Sequence, residues 1–181
     1  MHWTHQKASI AGAVVYAAVK VGTDAEAPRT GRVICIERIQ PISASRQENA
    51  VKKMGFNSTS HYQFCHFINV DDDYQTILNQ AYEEWERLEN EISIPYYPHV
   101  SVGWDNSPRT GKSAVTRENT PERFEAAIRK AKEYIDKRPN LHPLITINSW
   151  NEWTETSYLQ PDNVYGYGYL DALKKVFVDE K

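Results

Sequence analysis

The sequence has little of what several classes of protein require. Only two cysteines, Cys35 and Cys65, occur in 181 residues, and they form neither a CxxC pair nor a metal-type spacing. This indicates neither a disulfide framework nor a zinc site, and it leaves open a single bridge between the two thiols. No run approaches the roughly twenty apolar residues that a membrane-spanning helix needs. We therefore expect no membrane span. The formal charge of -3 supplies no basic surface, so we also expect no nucleic acid partner.

Several catalytic motifs are also missing. His61, His66 and His99 do not form an HExxH or another ligand set, and no GxSxG nucleophile turn occurs. No glycine-rich loop is placed to cradle a phosphate. Asp71 to Asp73 are explained more simply as the start of a helix than as a DxD-like metal site. The sequence therefore predicts no metal and no cofactor.

The composition is that of one folded domain over residues 1–181. Hydrophobic residues make up 40% of the chain and aromatic residues 12%, which is enough apolar surface for one core. The segment Ile10 to Val19 fits a buried strand and also the core of a signal peptide. The compartment is therefore left open.

Extended and helical patterns alternate along the chain. A capping box at Ser45 to Glu48, with Gly55 as a stop, predicts one helix, and Thr120 followed by Pro121 predicts the start of another. In chain order, the predicted segments are a strand within Ile10 to Val19, a short apolar piece at Val33 to Ile36, a helix over about Ser45 to Met54, a strand from Tyr62 to Ile68, a helix over about Asp71 to Leu88, a strand from Tyr97 to Val102, a helix from Thr120 to Ile135, a strand from Leu144 to Asn148 and a helix over about Tyr169 to Phe177.

This alternation predicts an α/β fold with a parallel sheet and helical crossovers. Four such units are half of an eight-stranded (β/α) barrel, and a complete barrel needs about 250 residues. The chain is therefore predicted to be the C-terminal half of a TIM-type barrel or a different, open α/β sheet. A half-barrel leaves unpaired strand edges and an uncovered hydrophobic interior, so we expect self-association or pairing with a missing N-terminal half.

Two carboxylates follow the apolar strand from Leu144 to Asn148. Glycosidic bond cleavage commonly uses two carboxyl groups, one as acid and one as base or nucleophile, and Glu152 and Glu155 are the candidate catalytic pair. Positions three apart on an extended strand point to opposite faces, so the pair converges only if the chain turns after Asn151. The alternative is that both are ordinary solvated surface residues.

Aromatic and polar side chains surround the same predicted strand ends. Indole rings suit the apolar faces of pyranose rings, and we expect the glutamates to emerge at the same end of the sheet as Trp104. Taken singly, each tryptophan also fits a core position, and Asp105 and Asn106 also fit turn chemistry. The candidate sugar-binding residues are Trp104, Asp105, Arg109, Trp150, Asn151, Trp153 and Tyr158.

Several segments resemble the signatures of one known family. In chain order they are Gly55 to Ser58 with Tyr62, Val102 to Arg109, Ser149 to Glu155, Tyr158 to Asp162, and Tyr165 with Gly166. Together they resemble the WbsX-like proteins, which are related to glycoside hydrolase family 99, the endo-α-mannosidase clan. The resemblance covers most of the chain from about Met54 to Phe177.

The resemblance implies a (β/α) barrel and retaining hydrolysis of α-linked, mannose-like glycosides. It implies that Glu152 assists the sugar's own 2-hydroxyl as an internal nucleophile and that Glu155 acts as acid and then as base. Thr154 and Thr156 depart from the pattern, because relatives tend to carry a small or imidazole residue and a glycine there. WbsX-like proteins have also been described as glycosyltransferases.

Three hypotheses follow. The leading one is a glycan-active enzyme, or a fragment of one, acting on an oligosaccharide or polysaccharide. The second is a noncatalytic carbohydrate-binding or assembly module in which the acid pair is idle. The third is a glycosyltransferase of polysaccharide biosynthesis. Whether this chain alone is an active enzyme is left open.

Overall fold

The computed structural model describes residues 9–10, 13–14, 19–20, 33–36, 44–53, 55–111 and 114–179, with side chains from residue 48 onward. Most of the predicted strand at Ile10 to Val19 and the side chain of Cys35 lie outside the described part. The elements are β1 (Ser9–Ile10), β2 (Ala13–Val14), β3 (Val19–Lys20), β4 (Val33–Ile36), α1 (Ala44–Lys53), β5 (Ser58–His61), α2 (Tyr74–Glu91), β6 (Tyr96–Tyr97), β7 (His99–Ser101), α3 (Ser107–Thr110), α4 (Pro121–Asp136), β8 (Leu144–Asn148), β9 (Asn151–Glu152), β10 (Ser157–Tyr158) and α5 (Gly168–Lys174).

Parallel pairing follows the order of the chain. β4 pairs with β5, and β5 pairs with β6. β6 and β7 are separated by Pro98 alone, and β7 pairs in parallel with β8. The helices α1, α2 and α4 lie between successive strands, and α5 follows β8. The predicted α/β alternation is therefore confirmed.

The described strands do not close into a barrel. They form a three-stranded sheet of β4, β5 and β6, a three-stranded sheet of β3, β8 and β7, and two two-stranded pairs. β3 joins β8 in the antiparallel direction. The described residues thus have α/β character, and β4, β5 and β6, and then β7 and β8, pair in parallel in the order in which they occur in the chain.

The predicted strand from Tyr62 to Ile68 is wrong. The strand is β5 (Ser58–His61), and the apolar residues after it form a single 3₁₀ turn at Phe64–His66. β5 is polar yet buried, because it pairs on both edges and its side chains find partners in the interior. Hydrophobicity therefore pointed to the neighbouring segment instead of the strand.

The capping box predicted at Ser45 is also wrong, although the helix is present. α1 begins at Ala44, so Ser45 lies inside it, and Glu48 binds the Ser93 backbone N–H at 2.9 Å. Hydrogen bonds from Lys52 and Ser93 lower the pKa of Glu48 to about 2. Gly55, with φ of 80°, ends the helix as predicted.

The two long helices begin and pack as predicted. The Asp73 carboxylate accepts a hydrogen bond from the Gln75 N–H at 2.9 Å, and the Thr120 hydroxyl accepts one from the Arg123 N–H. The predicted apolar stripes of α2 and α4 are buried, apart from a half-buried Tyr82. Their side chains pack with those of the strands into one core.

The sheet has an apolar face and a polar face. Val100 and Ile145 belong to the hydrophobic core, whereas His99, Ser101 and Thr146 beside them are polar and buried. His99 binds the Thr146 hydroxyl at 2.9 Å and the Ser101 hydroxyl at 3.0 Å. This hydrogen-bonded face differs from the uncovered hydrophobic interior that the half-barrel interpretation led us to expect.

Two buried histidines should make the fold sensitive to acid. Burial lowers the pKa of His61 to about 3 and holds the pKa of His99 well below its usual range. An unfolded histidine takes up its proton near pH 6.5, whereas the buried histidines stay neutral, so protons bind the unfolded chain preferentially. The free energy of unfolding is therefore highest above that pH and decreases as the pH falls toward 3. Urea unfolding should show a loss of about 2 kcal/mol from His61 between pH 7 and pH 5, with a further loss from His99 in the same direction. His61→Gln should reduce this slope, and an unchanged slope would contradict the assignment.

Candidate functional site

A hairpin follows β8 and carries both candidate catalytic residues. β9 and β10 pair in the antiparallel direction, with Glu152 opposite Ser157, and a 3₁₀ turn at Trp153–Glu155 joins them. The Ser149 hydroxyl accepts a hydrogen bond from the Glu152 N–H at 3.1 Å and donates one to the Ser157 carbonyl at 2.7 Å. The turn after Asn151 that convergence of the glutamates requires is therefore present.

Arg109 brings the two glutamates together. Its Nη1 lies 2.7 Å from Glu155 Oε1, and its Nη2 lies 3.4 Å from Glu152 Oε2. Its Nε donates to the Thr154 hydroxyl at 2.8 Å. Its guanidinium faces the glutamate hairpin, and the predicted contact of Arg109 with substrate stays a prediction.

A backbone contact joins the loop after β7 to the hairpin. The Asp105 N–H donates to the Glu155 carbonyl at 2.8 Å. Because β7 and β8 are parallel, their carboxyl ends lie at the same edge of the sheet. The predicted position of Glu152 and Glu155 at the same end as Trp104 is confirmed.

The environments of the two glutamates differ. Glu155 is only 9% exposed, and its burial raises the pKa of that carboxyl against the opposing effect of Arg109, with Glu152 raising it further. The side chain of Glu152 is 32% exposed, compared with 12% for that of Glu155. The surroundings of Glu155 therefore favour retention of its proton.

The loop after β7 passes very close to the hairpin. A Cβ atom on Gly103 would lie 2.9 Å from the Thr156 carbonyl oxygen and 2.4 Å from the Asn119 side-chain nitrogen. Only glycine fits this approach without displacing its neighbours. Thr156 itself has φ of 49°, a left-handed conformation that glycine adopts without strain. The sequence departure noted at Thr156 thus falls on a position that favours glycine.

Aromatic rings line the exposed side of the hairpin. Trp153 stacks on Tyr158 with ring centroids 3.8 Å apart and an interplanar angle of 21°. Its indole N–H donates to Gln160 Oε1 at 2.6 Å. Trp150 and Trp153 are 53% and 46% exposed, so their rings are accessible to a ligand.

The remaining predicted site residues have mixed positions. Trp104 is half-buried against the hydrophobic core. Asp105 Oδ1 accepts a hydrogen bond from the Ser107 N–H at 2.8 Å, which is the turn chemistry considered as its alternative role. Asn151 is exposed on β9. Their contacts with sugar stay predictions.

The sequence did not predict the residues that hold the hairpin in place through hydrogen bonds at the end of β8. Gln63 donates to Asn148 Oδ1 at 2.6 Å, and the same oxygen accepts a bond from the Ser157 hydroxyl at 3.0 Å. Ser149 and Ser157 lie on either side of the acidic segment. Two hydroxyl side chains around a turn are a local sequence signal for hydrogen bonds that hold the turn in place. Gln63 lies 85 positions from Asn148, so no local pattern connects them.

Metal-type clusters and membrane-spanning helices are both absent from the residues that the structure describes. Within them, no three or more histidine, cysteine or acidic side chains are grouped so as to hold a metal ion. In the same residues, no helix has the length and apolar character needed to cross a membrane.

Comparisons with known proteins identify relatives of the chain. A family model described as "Glycosyltransferase WbsX" matches residues 4–173. The chain is 37% identical over 81 residues to "Uncharacterized protein WxcX" from two strains of Xanthomonas campestris pathovar campestris. That match covers 44% of this chain and 12% of each relative, so the chain spans a small part of their length. No solved structure matches the chain significantly.

Removal of the shared guanidinium should change the titration of Glu155. In Arg109→Gln we expect the pKa of Glu155 to rise further, because the charge that stabilises its carboxylate is gone while burial remains. Carbon-detected NMR of the glutamate carboxyls measures this directly. Arg117→Gln, which removes an exposed arginine paired with Asp71, is the control and should leave Glu155 unchanged. An unaltered or lowered pKa in Arg109→Gln would contradict the geometry.

Thr156→Gly should stabilise the protein. The left-handed conformation costs a non-glycine residue about 1–2 kcal/mol, which glycine avoids. Roughly half of this gain is lost, because glycine also increases the conformational entropy of the unfolded chain. The expected net gain in the free energy of unfolding is about 0.5–1 kcal/mol, measured with urea. Thr156→Ala is the matched control, since alanine is strained there as well. Equal stabilities for the glycine and alanine variants would show that the conformation is not strained.

Proposed function

The chain belongs to the WbsX glycosyltransferase family, and on that premise we propose that it acts on a glycosidic bond through Glu152 and Glu155. The observation that carries the proposal is the convergence of both carboxylates on Arg109 at the carboxyl end of β8. Exposed indole rings lie on the same hairpin and suit the apolar faces of sugars. The substrate class is an oligosaccharide or polysaccharide.

The two glutamates have different roles in this proposal. Glu152 removes the proton from the sugar 2-hydroxyl, whose oxygen attacks the anomeric carbon, while Glu155 donates a proton to the departing oxygen. Water then opens the resulting anhydro sugar, with Glu155 as base and Glu152 returning the proton to the 2-oxygen. Two inversions at the anomeric carbon give retention. The burial of Glu155 supports its role as the acid, because it raises the pKa of that carboxyl.

The proposed substrate carries an α-linked, mannose-like sugar. This part rests on the resemblance of the motifs from Val102 to Arg109 and from Ser149 to Glu155 to family 99 glycoside hydrolases. Trp150, Trp153 and Tyr158 supply the rings that would hold such a sugar next to the carboxylates.

Glycosyl transfer in polysaccharide biosynthesis is the second candidate. It is favoured by the description of the matching family as a glycosyltransferase. The same carboxyl pair could deliver the sugar to a hydroxyl of an acceptor glycan in place of water. Formation of a longer glycan, measured by mass spectrometry, distinguishes transfer from hydrolysis.

A noncatalytic carbohydrate-binding module is favoured by one observation. Arg109 pairs with both glutamates, and an arginine that neutralises two carboxylates also serves a purely structural hairpin. Binding of sugar without turnover would identify this function.

We also propose that the four βα units are part of a larger (β/α) barrel. The sequential order of the parallel strands supports it, since barrel strands follow one another in this way. The remaining strands would come from a missing N-terminal half or from self-association of the chain.

The acid role of Glu155 is tested by Glu155→Gln, which keeps the shape of the side chain but cannot deliver a carboxyl proton. Activity on glycosides with poor leaving groups should fall about a hundredfold or more, the usual scale for loss of a general acid. An activated aryl glycoside needs little protonation and should lose less in bond cleavage. Glu152→Gln should impair both substrates, because attack at the anomeric carbon slows in either case. Steady-state kinetics with both substrate types measures the difference.

Glu118→Gln is the control, since it alters an exposed glutamate in the loop before α4. Equal and modest losses for Glu152→Gln and Glu155→Gln on both substrates, with sugar binding retained, would show that the pair is not catalytic. That result would favour the binding module.

A further inference from the structure

The exposed large apolar side chains are concentrated in one part of the chain. In the described residues, all but Val178 fall between positions 150 and 167. The residues of this group are Trp150, Trp153, Val164, Tyr165 and Tyr167. Exposed aromatic side chains that cluster in this way mark a surface that binds something.

Contacts link Trp153 and Tyr158 to the turn that carries Tyr165. Trp153 stacks on Tyr158, and burial together with the nearby Asp162 carboxylate raises the pKa of the Tyr158 hydroxyl. Asp162 Oδ1 in turn accepts bonds from the backbone N–H groups of Val164 and Tyr165, at 2.8 and 2.6 Å. One polar side chain therefore links the hairpin rings to the next turn.

The turn itself is held in place. Asp162 and Gly166 exchange two backbone hydrogen bonds, of 3.2 and 3.1 Å. The Tyr165 ring meets the buried Tyr169 ring edge-on, with centroids 5.7 Å apart, and the Tyr169 hydroxyl donates to the Asn119 carbonyl. Rings that are already fixed lose little conformational entropy when a ligand binds.

We infer that Tyr165 and Tyr167 extend the rings of Trp153 and Tyr158 into a second sugar-binding subsite, which lengthens the glutamate site along a longer glycan chain; the four rings are here called the aromatic band. Trp153 begins the 3₁₀ turn that ends at Glu155, so the band is continuous with the proposed reaction centre. The inference rests on the proposed function, and it assigns to Tyr165 and Tyr167 a role that bond cleavage does not require.

The chemistry of the band fits a neutral sugar. Tyrosine and tryptophan rings are amphipathic, with an apolar face for the C–H groups of a pyranose and a polar group at the edge. The Gln160 amide and the Asp162 carboxylate lie beside the rings and suit sugar hydroxyls. Asp162 also disfavours an anionic ligand. A protein partner or a second copy of the chain would need a broader apolar surface than these separated rings provide.

Chain-length dependence of binding tests the inference. The probes are α-linked manno-oligosaccharides of two and six residues, titrated calorimetrically into the Glu155→Gln protein so that turnover does not consume them. The hexasaccharide should bind about tenfold more tightly than the disaccharide, because two additional rings contribute. Tyr167→Ala, added to Glu155→Gln, should remove most of this difference.

The variants are chosen to separate binding from folding. Tyr167 is 65% exposed, so its loss should leave the melting temperature unchanged, whereas Tyr165 also packs on Tyr169. Tyr167→Trp retains a ring and should restore the preference for the hexasaccharide. Val178→Ala removes exposed apolar atoms outside the band and is the control.

The outcomes distinguish this inference from the proposed function. If Tyr167→Ala abolishes length-dependent binding and the native protein turns over no glycan, the result would support the band and overturn catalysis. Turnover without length dependence, or a hexasaccharide that binds no better than the disaccharide, would overturn the band and leave the proposed function intact. A change in oligomeric state of Tyr167→Ala, seen by sedimentation with sugar binding unaltered, would assign the band to a second copy and overturn the inference.

Discussion

The parallel pairing of β7 with β8 is the constraint on which the candidate site depends. The register places His99 opposite Thr146 and Ser101 opposite Asn148, so both strands end at the same level. The loops that follow them then meet, and the Asp105 N–H reaches the Glu155 carbonyl. Without this register, the arginine on one loop and the glutamates on the other would have no reason to be close.

Electrostatics at the meeting point is a balance of opposed effects. Burial and Glu152 favour the protonated form of Glu155, while Arg109 favours its carboxylate, and burial has the larger effect. Burial stabilises the neutral form of this carboxyl and the arginine stabilises its ionised form, so the two effects compete at one group. The two glutamates differ in exposure although they are only three positions apart.

Support for the hairpin comes from the polar face of the sheet. Asn148 lies at the end of β8 and binds both Gln63 and Ser157, so the last residue of the strand is tied to the hairpin and to the loop after β5. The backbone at Gly103 also packs closely against the hairpin. The orientation of the acidic residues is thus set by buried hydrogen bonds and by close backbone packing more than by the exposed rings around them.

The sequence by itself determined the elements whose signals are local. Apolar periodicity and caps located α2 and α4, and the apolar run located β8, because those patterns reflect contacts within a few turns or one strand. It also determined the glutamate pair and the aromatic residues as candidates, through residue type and family resemblance. Only the tertiary structure decided that the polar segment Ser58–His61 is a strand, that Glu48 binds Ser93, and that one guanidinium joins Glu152 to Glu155. These depend on partners at least 25 positions away in the chain, whose distances no local pattern encodes.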